Sequence, residues 1–172
     1  MPVILAPEYI VPLGKEHDRS TFNCGNEALN RYLQQQARQD ADRYAAAPFV
    51  LVEPATNIVQ GYYTLSSSRI PLYELPERLV KKLPGYDNLP VTLLGRLARD
   101  KNITTKGIGE FLLFDALHRS LQQARKIASI AVVVDALNED AERFYMHFNF
   151  LPFQKTPLRL FLPMKQIEKI FP

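Results

Sequence analysis

The chain has 172 residues, 47% of them apolar, with 21 Lys and Arg against 18 Asp and Glu. That size and composition suit one domain with a real core and exclude a disordered tail. A formal charge of +3 is far below that of a histone-like coat, so an anionic partner is permitted without being demanded.

Val3–Val11 reads as an opening strand. Asn26 to about Tyr44 reads as a helix, because Leu29, Leu33, Ala37 and Ala41 recur every four residues and form one stripe. Ala46–Pro48 ends it. Phe49–Glu53 and Ile58–Arg69 then read as two strands of a hairpin, rich in β-branched and aromatic residues. Pro71 to Pro90 is proline-rich, with a short helix expected at Glu77–Leu83, and is the best candidate for a substrate-facing element. Val91–Ala98 is a buried strand. The polar loop Asp100–Lys106 follows, and Gly107-Ile108-Gly109 opens a helix to about Arg125. Ile130–Asp135 is a continuous apolar strand of the kind buried on both faces. Asn138–Asn149 is a helix with Ala141, Phe144, Tyr145 and Phe148 on one face. Strands near Phe150–Gln154 and Leu158–Pro163 and a helix at Lys165–Ile170 complete the chain. The order β-α-β-β-β-α-β-α-β-β makes an α/β protein, a mixed sheet flanked by helices, in one domain spanning 1–172.

Cys24 is the one cysteine, so no disulfide closes within the chain. His17, His118 and His147 are scattered, no zinc spacing occurs, and no metal is expected. Val3 to Ala6 is too short for a signal-peptide core, and no apolar run approaches the ~20 residues of a membrane span. A cytoplasmic protein is expected.

The sharpest local signal is a strand, a polar loop, Gly107-x-Gly109 and a long helix. The first turn of a helix leaves backbone N–H groups without partners, and the helix dipole places partial positive charge there. Glycines let a phosphate approach those amides, and Lys101 and Lys106 add charge. No Gly-Lys-Ser/Thr follows, so this is not a Walker loop. Leu112 stands where a dinucleotide fingerprint needs its third glycine. Alone, the pattern also fits a helix start that simply needs flexible backbone.

The ordered set carries more. Leu94-Gly95-Arg96-Leu97-Ala98, then Lys106-Gly107-Ile108-Gly109-Glu110-Phe111, then Asp135-Ala136-Leu137-Asn138 through Phe144-Tyr145, resembles the GNAT acetyltransferase superfamily. Phe22-Asn23-Cys24-Gly25 and Gly61-Tyr62-Tyr63-Thr64-Leu65-Ser66 bring the likeness closest to the acetyltransferase toxins of type II toxin–antitoxin systems. The resemblance implies a GNAT-like acyl-CoA N-acyltransferase fold and acetyl-CoA as the donor. The backbone of Leu97, Ala98 and Arg99 would lie along the pantetheine arm and polarise the thioester. Thr104, Thr105, Lys106, Gly107, Ile108, Gly109 and Glu110 would line the pyrophosphate loop, Asn138 would touch the coenzyme arm, and Tyr145 would be the general acid. Thr104 and Thr105 stand where the toxins carry Gln-Gly, and Arg99 stands where an apolar residue is usual. Asn149 replaces the glycine that ends the tyrosine helix, a mild change because Asn tolerates left-handed backbone.

Acetyl transfer to an amine needs a neutral amine, a polarised carbonyl and a protonated thiolate. Amides freed where strands 91–98 and 130–135 splay could serve the oxyanion. Proton transfer from a phenol (~10) to a thiolate (~8.5) is mildly uphill in water, and surroundings that favour phenolate would close the gap. No Glu or His stands out as a base. An α-amine titrates near ~8 and needs little help, which suits an aminoacyl-tRNA acceptor. Pro76 to Lys106 holds seven bases against three acids, and Arg78, Lys81, Lys82, Arg96 and Lys101 are candidate contacts to RNA. The toxin likeness further implies a ribbon-helix-helix antitoxin as partner and a homodimer. Two alternatives stay open on the sequence: a GNAT enzyme acting on a small amine or protein, and a non-catalytic CoA-binding or partner-binding regulator.

Overall fold

The computed structural model describes residues 5–172. Two compact units divide it: residues 1–66 with 95–116, and residues 67–94 with 117–172. Seven strands take the order β1-β2-β3-β4-β5-β7-β6.

In the first unit, Pro7–Tyr9 makes one 3-10 turn and β1 is Ile10–Pro12. The opening strand is thus shorter than its sequence suggested. Pro7 sits at the start of the turn, where its missing N–H and fixed φ favour a turn over a strand; residues 3 and 4 lie outside the described residues. The first helix begins where expected, with the Asn26 side chain accepting from the Leu29 N–H at 3.0 Å. It runs as α1 (Glu27–Arg31) and α2 (Ala37–Asp42), joined by a π-helical turn, Tyr32–Gln36, closed by the Ala37 N–H on the Tyr32 carbonyl. The extra residue rotates the stripe, so Tyr32 is buried with Leu33 and Ala37. β2 (Ala47–Val52) pairs antiparallel with β3 (Val59–Pro71) from Ala47↔Leu65 to Val52↔Val59. Val59 through Thr64 are all buried, the signature of a strand covered on both faces rather than an alternating one. Phe22, Leu33, Val50, Val59, Tyr62 and Ala98 share one core cluster.

β4 (Asn88–Arg99) begins three residues before the expected strand. α4 (Ile108–Ala124) follows, anchored in the first unit by Ile108, Leu112 and Leu113, each 0% exposed.

In the second unit, α3 (Glu77–Val80) sits within the proline-rich stretch. β5 (Ala131–Asp135) pairs parallel with β4 over Thr92↔Val132 to Leu94↔Val134, and antiparallel with β7 (Arg159–Pro163). α5 (Glu139–His147) leads to β6 (Leu151–Pro152), and α6 (Met164–Ile170) ends the chain. Ile70, Leu75, Leu89, Val91, Val133 and Phe161 form its core. Among the described residues, no helix is long and apolar enough to cross a membrane.

Candidate active site

Of the coenzyme-binding residues expected from the sequence, Leu97 to Arg99 and Thr104 to Glu110 fall in the first unit, and Asn138 falls in the second. The register of β4 with β5 ends at Leu94, five residues before β4 itself ends. Gly95 to Arg99 continue the strand, with Ala98 buried in the core beside Tyr62. The next turn is built on Asp100. Its carboxylate accepts the Asn102 N–H at 2.8 Å and the Asn23 N–H at 3.3 Å, while the Lys101 N–H donates to the Asn23 carbonyl at 2.9 Å. The Phe22–Gly25 segment is therefore a brace for this loop.

Arg99 explains its own departure from the family pattern. Its guanidinium donates to the Thr105 carbonyl at 3.3 Å and to the Ile103 carbonyl. A side chain on the strand thus holds the loop that carries Thr104 and Thr105. With those carbonyls drawn toward Arg99, the loop is fixed ahead of the helix. Gly107 follows with φ +84°, a left-handed conformation that glycine adopts without strain, and nothing stands within 4 Å of where its Cβ would be. The Phe111 N–H on the Gly107 carbonyl, 2.9 Å, closes the first turn. The Ile108, Gly109 and Glu110 amides precede the first ladder bond of α4, where orphan donors are expected. Lys106, Gly107 and Glu110 are exposed while Ile108 is sealed in the core. An open glycine, orphan amides and the exposed Lys101 and Lys106 fit a diphosphate.

The second unit holds Asn138 and Tyr145 on α5. Asn138 caps the helix, its side-chain oxygen accepting from the Ala141 N–H at 2.9 Å; its amide group keeps two donors. Glu139, Asp140 and Glu142 complement the dipole in the first turn. The helix ends as the sequence implied. Asn149 takes φ +70° and the Phe150 N–H returns to the Tyr145 carbonyl at 3.2 Å. That turn places Phe150 against Tyr145, ring centroids 5.3 Å apart, with Phe144 at 5.2 Å on an edge.

Tyr145 is 7% exposed. Its hydroxyl has no hydrogen-bond partner among the described residues, and the one sealed, unpartnered side-chain polar atom among them is Glu74 Oε2. The ring is therefore buried while its hydroxyl keeps slight access to solvent. Burial in this apolar setting pushes the phenol above its usual value. Surroundings that favour phenolate would ease the proton transfer; the aromatic neighbours do the reverse. Tyr145 is a fully protonated donor at neutral pH.

The candidate RNA contacts divide between the units. Arg78, Lys81 and Lys82 lie on or just after α3, all exposed, and a cavity of about 420 Å³ is lined by Arg78, Lys82, Asn149 and Gln166. Lys101 and Arg96 belong to the first unit, where the Arg96 guanidinium lies 3.5 Å from the centre of the Tyr32 ring. Tyr32 and its neighbours in that arrangement escaped the sequence reading. Helical spacing assigned the stripe to Leu29 and Leu33, and nothing in the sequence signals an extra residue in the turn.

The fold, with a strand running past its parallel neighbour toward a glycine-opened helix, is that expected of a GNAT acetyltransferase. No protein-family model matches the chain. Curated relatives do. The tRNA-acetylating toxin of Mycobacterium tuberculosis (strain ATCC 25618 / H37Rv) is 35% identical over 153 residues, 89% of this chain and 90% of the relative. The probable toxin TacT of Sinorhizobium fredii (strain NBRC 101917 / NGR234) is 30% identical over 173 residues, 96% of each. Among solved structures, AtaT complexed with acetyl-methionyl-tRNAfMet superposes with a TM-score of 0.88 at 32% identity, covering 95% of this chain and 98% of that one. A Tyr-to-Phe mutant of KacT gives 0.86 at 32%, covering 98% and 96%. A Tyr-to-Phe mutant of AtaT, bound to the C-terminus of the antitoxin AtaR and acetyl-CoA, gives 0.78 at 28%, covering 94% and 96%. The chain belongs to the family of GNAT-type tRNA-acetylating toxins.

Proposed function

We propose that this protein moves the acetyl group of acetyl-CoA onto the α-amine of aminoacyl-tRNA and so blocks translation as the toxin of a type II toxin–antitoxin pair. The amides of Ile108, Gly109 and Glu110, with Lys106 beside them, hold the diphosphate. The strand amides of Leu97, Ala98 and Arg99, beyond the end of the β4–β5 register, polarise the thioester carbonyl, and the Asn138 amide donates to the coenzyme arm. The neutral amine attacks the carbonyl carbon. A C–N bond forms, the C–S bond breaks, and Tyr145 gives its proton to the departing sulfur. The phenolate then recovers a proton from the nascent amide nitrogen through solvent. Apolar surroundings raise the basicity of a thiolate as they raise that of a phenolate, so the transfer stays near balance although the phenol is a weak acid.

The observation that carries this reading is the Tyr145 hydroxyl: a buried ring whose tip has no partner among the described residues. A purely structural tyrosine of that burial would bond its hydroxyl or be phenylalanine. The aminoacyl acceptor is supported by the relatives' tRNA chemistry and by the low pKa of an α-amine, which removes the need for a dedicated base. A ribbon-helix-helix antitoxin, a homodimer and a cytoplasmic location complete the proposal, on the strength of the toxin resemblance.

The test is transfer of radiolabel from acetyl-CoA to total charged tRNA. The expected label is on the aminoacyl group, absent with deacylated tRNA. Label on a polyamine or protein instead would overturn the assignment of the acceptor.

A further inference from the structure

The recess beside the first helix is not used by the chemistry described above. The π-turn Tyr32–Gln36 inserts one residue between α1 and α2, and such turns gather at functional positions because they are costly to keep. It opens a recess of about 350 Å³ bounded by Ala28, Arg31, Tyr32, Gln35, Gln36 and Arg96.

The recess is organised around one guanidinium. The Arg96 guanidinium lies over Tyr32, its carbon 3.5 Å from the ring centre, and Tyr62 stacks on Tyr32 with centroids 6.3 Å apart. Asp40 is the nearby carboxylate, and it acts on Arg96 through space without forming an ion pair. Its oxygens accept the Tyr32 hydroxyl at 2.7 Å and the Gln36 amide at 2.9 Å. Arg96 makes no ion pair and no hydrogen bond among the described residues. A half-buried guanidinium is therefore seated on an aromatic face with its N–H fork unspent among the described residues. That fork matches the paired oxygens of a phosphate. Arg31, exposed at the rim, adds a second positive charge. Arg96 is one strand step, about 3.3 Å, before Leu97, so an anion held here sits near the reacting end of the acceptor.

Resting on the aminoacyl-tRNA reading, we propose that this recess is a subsite for a backbone phosphate of the single-stranded acceptor end. Arg96 is the bidentate donor and Tyr32 is the positioning residue that seats it. Single-stranded RNA ends are held by such stacked guanidinium and aromatic groups.

The experiment compares two acceptors carrying the same amine ester: charged tRNA, and an aminoacyl-adenosine that has no phosphate. In Arg96→Ala the preference for the tRNA, as a ratio of kcat/KM values, is expected to fall at least tenfold through KM. The slope of log kcat/KM for tRNA against log salt is expected to flatten by about 0.7, the share of one phosphate on a single strand. Arg96→Lys keeps the charge but not the fork, so the salt slope is expected to stay while the preference falls severalfold. Tyr32→Leu should lower the preference as Arg96→Ala does. An unchanged salt slope in Arg96→Ala, or an equal loss on both acceptors, overturns the subsite. A wild-type protein that acetylates aminoacyl-adenosine or a small amine but no charged tRNA overturns the acceptor reading itself, and the subsite with it.

Discussion

Arg99 is the residue through which the coenzyme loop can be tested apart from the chemistry. Arg99→Met keeps the stem and removes the donors that hold the Thr105 and Ile103 carbonyls. A hydrogen bond from a charged donor contributes ~1.5–3 kcal/mol when both groups are shielded. Thr105 and Arg99 are half-buried, so water replaces part of what is lost. The loop then costs about 1–3 kcal/mol more to order around the diphosphate. At ~1.4 kcal/mol per factor of ten, acetyl-CoA should bind roughly 5- to 150-fold more weakly. Calorimetric titration with acetyl-CoA reads this directly. S-acetylpantetheine, which carries the thioester without the diphosphate, serves as the second donor, and its kcat/KM should fall less than twofold. Unchanged affinity for acetyl-CoA would refute the bracing role. An equal loss with S-acetylpantetheine would show that Arg99 acts on the thioester end instead.

Gly61→Ala should destabilise the first unit, because the new Cβ would stand 2.8 Å from Leu112 Cδ1 and 3.3 Å from the Ala98 carbonyl. Overpacking of this kind costs ~1–3 kcal/mol, or roughly 3–10 °C in Tm for a chain of this size, and a scan that leaves Tm unmoved would contradict the packing described. Alkaline pH should unfold the protein. Burial and the bond to Asp40 push Tyr32 up to about 12, and burial raises Tyr62 and Tyr145 further. The folded state then holds more protons than the unfolded state above the ordinary phenol value of ~10, so stability is full below about pH 10 and falls as pH rises through 12. Tyrosine absorbance should report these phenols ionising together with loss of structure; their titration near pH 10 in a still-folded chain would contradict it.

Much of this was legible in the sequence because its signals are local. The helix starts at Asn26 and Asn138, Gly107 as the glycine ahead of α4, and Asn149 in left-handed backbone are each dictated by a residue and its immediate neighbours. The ordered strand–loop–helix set then marked the loop proposed to hold the coenzyme. Three features were out of reach for the same reason in reverse. The π-turn at Tyr32 preserves a four-residue apolar spacing on either side, so periodicity shows a plain helix. The Arg99 brace joins a strand to carbonyls of its own loop, and carbonyls carry no sequence signature. The elevated pKa of Tyr145 depends on Phe150, which reaches the ring through the turn at Asn149.

The central claim is that Tyr145 delivers the proton to the departing thiolate. Single-turnover acetyl transfer to charged tRNA by wild type and Tyr145→Phe, with acetyl-CoA affinity and Tm measured alongside, tests it most directly. The hydroxyl has no partner among the described residues to strand, so affinity should hold within about twofold and stability within about 0.5 kcal/mol. The transfer rate should drop by roughly 10²–10⁴. Equal rates in the two proteins would contradict the account and leave Tyr145 as a packing residue.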